Sequence, residues 1–328
     1  PPHTTLMIAV LLLPISSCAG LWTPSPRAQA VTTDGGAVLR FVDCKTQQTV
    51  VLVGSMHYNP HSIALAAKAV HAEAEAGTLR AVVVESCPTR WNSTLKNQPA
   101  GSLLRALFDN EMQAAAEVAE SDGCSVVLGD QAIEDTGRRV AQLAGATLVE
   151  AFTPFAGGWE RIGDDLRAGA AQLDAPPGHG VSVATLLHPN LLLGTPLALF
   201  RYPASIAVKS PAFFALLLAS LALGLSGPPD PAAADAAAGG LYLDLFQALG
   251  FAGLETIFLG RVFLVALLEE RNYVLARNIR RAALARPQPR QPGDVNGGAG
   301  RSGRTVVAVL GMAHLNGVRQ ILTSSRVV

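Results

Sequence analysis

Four short apolar runs, each closing on a polar residue, constrain the fold of this 328-residue chain more than any other feature. The first reads Val50-Val51-Leu52-Val53-Gly54-Ser55-Met56-His57, and its echo near the far end reads Val306-Val307-Ala308-Val309-Leu310-Gly311-Met312-Ala313-His314. Between them lie Ala81-Val82-Val83-Val84-Glu85 and Ser125-Val126-Val127-Leu128-Gly129-Asp130. β-Branched runs that are apolar on both faces and separated by helical patterns are what a buried parallel sheet requires. The fold class they imply is α/β, with a mainly parallel central sheet flanked by helices. Ligands of such sheets collect outside the carboxyl ends of the strands. Two Gly-x-x-His imidazoles and two carboxylates are therefore expected on one rim.

The segments around these runs fit that scheme. Asp34-Gly35-Gly36 reads as a turn, and Val38 to Val42 as a strand that hairpins onto the Val50 run. After His57 a helix start is marked by Asn59 as cap and Pro60 at the first position, and Gly77 closes its far end. Ile63, Ala67 and Val70 share one face of it. Leu103 to Glu120 reads as a further amphipathic helix, which continues a βαβ rhythm. Past Asp130 the rhythm fails. From Ile133 to about Ala285 the pattern is helical and rich in Ala and Leu, with breaks at Pro176-Pro177-Gly178 and Gly227-Pro228-Pro229. The sheet resumes only at Thr305. Residues 34–328 are thus read as one domain, with a helical insertion at about 133–285 before the last strand and a Pro-, Gly- and Arg-rich surface loop at 286–304.

Residues 1–33 read as a leader or targeting segment. Leu6 to Ile15 has the size of a signal-peptide core, Ala28-Gln29-Ala30 suits cleavage, and Ile15-Ser16-Ser17-Cys18 has the form of a lipoprotein box. Pro14 interrupts the stretch and no basic segment precedes it, so a plain leader stays open. Pro211 to Ser226 carries no charge, and adding Ala204 to Val208 brings residues 204–226 to the roughly 20 residues of a membrane span, with Lys209 inside. A span or hairpin and a buried or interfacial helix are both open readings. Hydrophobic residues at 49% against 15% charged lean toward membrane contact. Equal numbers of basic and acidic residues, 25 each, leave no electrostatic footprint for nucleic acid. The four cysteines form no Cys-x-x-Cys pair and no disulfide framework, which favours a reducing compartment.

A histidine that follows a strand and a glycine-relieved bend can point into the rim. His57 and His314 with one carboxylate would make three protein ligands and leave a position for water, the arrangement of a catalytic divalent-metal site. Glu85 is the candidate third ligand or general base, and sequence does not separate these roles. Arg90 and Arg271 are candidates for holding a substrate anion by bidentate hydrogen bonds, with Asp130 beside them. Arg271 lies in Glu269-Glu270-Arg271-Asn272, where a helix-surface ion pair is the alternative. His61 follows His57 by four residues, but Pro60 separates their local structures. His71, His179 and His188 have no supporting context, and Trp159-Glu160 has no assigned role. Cys87 reads as a small buried residue, since no neighbouring basic group marks it as a nucleophile.

Five motifs occur in the order found in the TraB, PrgY and GumN family: Val-Gly-Ser-Met-His at 53–57, Val-Val-Glu-Ser-Cys-x-x-Arg at 83–90, Leu-Gly-Asp at 128–130, Glu-Arg-Asn at 270–272 and Gly-Met-Ala-His at 311–314. His57-Tyr58-Asn59-Pro60 and Arg90-Trp91-Asn92 are similar to its plant and algal branch. The resemblance runs from about Ala37 to the C-terminus. The family includes the TIKI proteins, metal-dependent proteases with two Gly-x-x-His motifs and an essential Glu, related in fold to erythromycin esterase-like and ChaN-like proteins. The resemblance implies His57 and His314 as metal ligands, Glu85 as ligand or catalytic residue, and Mn or Co as cofactor, with Zn also open. It also implies a peptide or protein substrate and a membrane-associated setting in chloroplast or mitochondrion. Other relatives limit peptide pheromone signalling, which keeps a non-catalytic membrane regulator as the alternative. The long Ala-rich insertion departs from the secreted TIKI pattern.

Overall fold

In the computed structural model the described residues are 31–33, 36–175, 180–212, 214–215, 218–219, 222, 241–285 and 304–324. The four apolar runs are strands, and two shorter strands precede them. β1 (Val31–Thr33), β2 (Val38–Val42), β3 (Thr49–Ser55), β4 (Leu79–Val84), β5 (Ser125–Leu128) and β6 (Thr305–Gly311) form one sheet in the order β1-β2-β3-β6-β4-β5. The last strand therefore enters the middle, parallel to β3 on one side and to β4 on the other. β5 extends the parallel set, and β2 and β1 close the other edge antiparallel. Val31–Thr33 pair with β2, so the domain begins inside the segment read from sequence as leader; residues 1–30 lie outside the described residues.

Both faces of the central strands are covered, which is why the runs are continuously apolar. Val50, Leu52, Val83, Val306, Ala308 and Leu310 face one layer, where Leu275, Ile279, Leu315, Val318 and Leu322 pack against them. Val51, Val53, Val82, Val84, Val307 and Val309 face the other, against Leu65, Ala66, Val70, Ala115 and Ala119. The helices that supply this second layer are α1 (Pro60–Glu75) and, past α2 (Pro88–Asn97) and α3 (Leu103–Leu107), α4 (Glu111–Ser121). The single helix expected over Leu103 to Glu120 is two, broken at Phe108–Asn110, because the Asn110 side chain caps a fresh start by accepting from the Gln113 amide. α2 was not read from sequence at all.

The insertion comprises α5 (Ile133–Ala151), α6 (Gly158–Ala171), α7 (Val183–Leu186), α8 (Pro189–Lys209) and α9 (Leu241–Arg261). α9 passes through eight residues wound as a π-helix, Val262–Glu269, into α10 (Glu270–Leu284). After β6, α11 (Leu315–Thr323) completes the first layer. A continuous helix over 204–226 is not formed: α8 ends at Lys209, with Ser210 extended beyond it. Most of 211–226, the linker 227–240, the loop 286–303 and Pro176 to His179 lie outside the described residues.

Asn59 ties α8 to the sheet. Its side-chain oxygen caps α1 by accepting from the His61 and Ser62 amides, and its amide nitrogen donates to the Leu191 carbonyl of α8 at 2.9 Å. α8 comes this close because residue 194 is glycine: a Cβ there would stand 2.6 Å from the Asn59 side chain. Asn59→Ala should cost about 2 kcal/mol in urea unfolding, the upper end for a lost cap. Asn59→Asp, which keeps the acceptor and loses the donor, should fall between it and the wild type. Equal stability of the Asp variant and the wild type would show that the α8 contact contributes nothing.

Candidate active site at the sheet rim

The pairing of β6 with both β3 and β4 decides where the strand-end residues go. Ser55 is in register with Gly311 and Val84 with Val309. His57 leaves two residues past Ser55, His314 sits on the short 3-10 turn Met312–His314, and Glu85 is the first residue past β4, its amide donating to the Val309 carbonyl at 3.1 Å. All three side chains converge over Gly311. A Cβ at that position would lie 3.2 Å from Glu85 Oε2, 3.7 Å from His57 Nε2 and 3.7 Å from His314 Cδ2. Glycine leaves open the space in which they meet.

Each imidazole is fixed through its other nitrogen. His57 Nδ1 donates to Glu111 Oε1 at 2.6 Å, and the buried Glu111 also accepts from the Ser55 hydroxyl at 3.1 Å and the Tyr58 amide at 3.3 Å. His314 Nδ1 donates to Asn272 Oδ1 at 2.7 Å. An Nδ1–H held by a carboxylate or amide oxygen fixes the tautomer and turns Nε2 toward a ligand, as in metal-binding histidines. His314 Nε2 is 3.4 Å from Glu85 Oε1. Two ligands of a tetrahedral ion at about 2.1 Å stand roughly that far apart.

Glu85 is held as an anion. Its Oε2 accepts from the Gly311 amide at 2.5 Å, and its Oε1 accepts from Arg271 Nη2 at 2.5 Å. Burial alone would push this carboxyl up, but the charges and hydrogen bonds of His314, Arg271 and His57 hold it well below the usual carboxylate range. Arg271 spans to Asp130 with bonds of 3.0 and 2.6 Å, and Arg90 pairs with the same carboxylate from the other side. Burial lowers the His57 pKa, yet the hydrogen bond and charge of Glu111, joined by Glu85, outweigh it and raise the ring from 6.5 to about 9. Two expectations change here. Arg271 is no helix-surface ion pair but a largely enclosed bridge between Glu85 and Asp130. Asp130, Arg90 and Arg271 are paired with one another and with Glu85, so they position the rim in place of standing free for substrate.

A pocket of about 460 Å³ opens beside His57 and Glu85. Tyr58 lies in its wall in the left-handed backbone region, φ 61°, a conformation a tyrosine adopts at a cost of about 1–3 kcal/mol and one that clusters at functional sites. α8 roofs the pocket: the Tyr202 ring stacks on His57 at 6.2 Å and meets Tyr58 edge-on at 6.1 Å, and Lys209 reaches the Tyr58 hydroxyl. His57, His314 and Glu85 are the side chains that a divalent cation over Gly311 would draw on, the His57 ring giving up its proton to bind it. Among the described residues, however, no three His, Cys, Asp or Glu side chains form a ready-made cage. Both oxygens of Glu85 are engaged by protein donors.

The remaining candidates lie elsewhere. His61 stacks on His188 at 6.1 Å and His71 pairs with Glu75 on the surface. His179 lies outside the described residues. Cys87 is buried at the start of α2; burial raises its thiol, but hydrogen bonds and charge from Arg90 bring it below the usual value, so a basic neighbour that sequence did not show is present. Sequence reading also missed Glu111, Asn272, Tyr58, Tyr202 and Lys209. The Asn110-x-x-Gln113 start signal marked the helix that carries Glu111. Nothing in sequence placed α8 over the rim.

The chain matches no protein-family model and no curated protein. In chelator-treated protein the His57 ring should titrate near pH 9, and Glu111→Gln should move that midpoint down toward or below 6.5, read by NMR of the imidazole nitrogens. Because the folded value lies above the unfolded 6.5, this ring's contribution to stability is complete below that pH and is lost as pH rises through about 9. Glu111, lowered from 4.5 by the same contact against the opposing effect of burial, loses its contribution in acid. An unchanged midpoint in Glu111→Gln would remove Glu111 from this role.

Proposed function

We propose that this protein is a membrane-associated, divalent-metal-dependent hydrolase acting on peptide bonds at the rim formed by β3, β6 and β4. The observation that carries the reading is the convergence of His57 Nε2, the His314 ring and Glu85 over Gly311, with both imidazoles pinned through Nδ1. The resemblance to the TraB, PrgY and GumN family supports it, as does the parallel sheet, which suits an erythromycin esterase- or ChaN-like scaffold.

His57, His314 and Glu85 are the residues that would hold Mn, Co or Zn. Bound there, the ion supplies water activation and carbonyl polarisation near neutral pH. Glu111 and Asn272 orient the two rings. A carboxylate as weakly basic as Glu85 is a poor proton acceptor at neutral pH, which favours its role as ligand over general base. Arg271, Asp130 and Arg90 keep it anionic and in place, and the Tyr202 ring lies parallel to His57 at 6.2 Å. A second reading, that the pocket binds a peptide or partner without turnover, is favoured by the engagement of both Glu85 oxygens.

Elemental analysis distinguishes the two. The wild type should retain about one metal ion per chain, and His57→Ala and His314→Ala should lose it. Gly311→Ala, whose backbone φ of −57° suits any residue, should fold yet lose the ion because the methyl group occupies the cradle. A wild type that binds no Mn, Co or Zn under supplementation leaves only the binding reading.

The membrane part rests on α8. Among the described residues it is the helix long and apolar enough to cross a bilayer, with a mean hydropathy of 1.4 and 17% of that window buried. Its outward face exposes Leu193 at 82%, Leu199 at 70% and Phe200 at 70%. Because its inward face roofs the pocket, it would lie along the membrane surface while docked, as interfacial helices do. The purified protein should float with phosphatidylcholine vesicles, and Leu193→Asp with Phe200→Asp should reduce the bound fraction about tenfold. A wild type that stays at the bottom of the gradient excludes the interfacial reading.

A further inference from the structure

Lys209 ends α8, yet its ammonium turns into the pocket. It donates to the Tyr58 hydroxyl at 3.1 Å and to the Thr94 hydroxyl at 3.3 Å. A lysine in the last turn of a helix usually serves the open carbonyls or water. Here it has left both for a wall that also carries the hydroxyls of Ser86, Thr89, Ser93 and Ser210. The arginines around the pocket have carboxylate partners: Arg90 on Asp130, and Arg271 on Glu85 and Asp130. Among the described residues the hydrogen-bond partners of Lys209 are these two neutral oxygens, the Tyr58 ring lies 5.8 Å from its nitrogen, and no carboxylate pairs with it. It is the cation of this pocket whose charge is available to a ligand.

Its placement relative to the rim is fixed. Tyr58, whose hydroxyl accepts from the ammonium, adjoins His57 in sequence, and its backbone N–H donates a hydrogen bond to Glu111 Oε2 at 3.3 Å. The Tyr202 ring stands between them, 6.2 Å from His57 and 6.1 Å from Tyr58. An anion on Lys209 would thus lie in the same pocket as His57 and Glu85. We propose that Lys209 anchors a carboxylate of the substrate, so that the pocket takes short peptides by their C-terminal carboxylate or by an acidic side chain near it. The inference names the substrate class of the hydrolase reading and rests on it for the reacting bond, but the anchoring itself requires no turnover.

Calorimetric titration of the full chain tests it with three probes: acetyl-trialanine as the free acid, the same peptide as the C-terminal amide, and the amide with aspartate at the middle position. At least one carboxylate probe should bind saturably and about tenfold more tightly than the neutral amide. Lys209→Gln should bring that probe down to the level of the amide, Lys209→Arg should restore it, and binding of the neutral amide should be the same in the wild type and both variants. Preference for the free acid assigns the terminal carboxylate, and preference for the aspartate probe assigns a side chain. Equal binding of all three probes overturns the proposal, as does a Lys209→Gln protein that keeps the preference, or no saturable binding of a carboxylate probe up to about 10 mM. Metal-free protein that still prefers the carboxylate retains the anchor while losing the hydrolase reading. Metal-loaded, active protein indifferent to the carboxylate does the reverse.

Discussion

The last strand of the chain, β6, is hydrogen-bonded in parallel to both β3 and β4, and the rim depends on that double pairing. Neighbouring strands lie about 4.8 Å apart, so residues leaving the carboxyl ends of three adjacent parallel strands are delivered within reach of one another. His57, Glu85 and His314 meet for this reason, although more than two hundred residues separate the first from the last. Register is held by burial on both faces, since a one-residue slip would exchange every side chain of β6 between the two layers. The entropic cost of closing a long connection grows only slowly with its length, which lets the helical insertion sit between β5 and β6 without loosening the pairing.

The second organising element is a run of charge from Arg90 through Asp130 and Arg271 to Glu85, in which the two carboxylates are buried and the arginines reach in from partly open positions. Removing such groups from water is costly, and deleting one partner of a buried pair typically costs about 3–5 kcal/mol because the other is left uncompensated. The arrangement stabilises one protonation state more than it stabilises the fold. Glu85 stays ionised, with one oxygen on a main-chain amide and the other on an arginine, beside an imidazole whose tautomer Asn272 fixes.

α8 has its polarity inverted relative to an ordinary surface helix. Tyr202 and Lys209 face the pocket, whereas Leu193, Leu199 and Phe200 face outward. One helix thus lines the pocket on one side and carries an apolar surface on the other, and the Asn59–Leu191 bond links both to the loop that carries His57.

How much of this could be read in the sequence follows from which signals are local. The β-branched runs, the Asn59-Pro60 start of α1 and the helical span from Ile133 were legible because burial on two faces, capping and the 3.6-residue period each leave a mark within a few residues. The strand-end positions of His57, Glu85 and His314 were legible too, since a parallel sheet collects strand ends on one side. Sequence did not show that Glu111 would hold His57, that Arg271 would bridge Glu85 and Asp130, or that α8 would fold back over the pocket. Those contacts join elements tens to hundreds of residues apart, and no local period records them. The sequence by itself determined the sheet, its layers and the residues at its rim; the tertiary structure alone decided their partners, because hydrogen bonding and desolvation at a buried charge depend on what packs against it, whatever its distance along the chain.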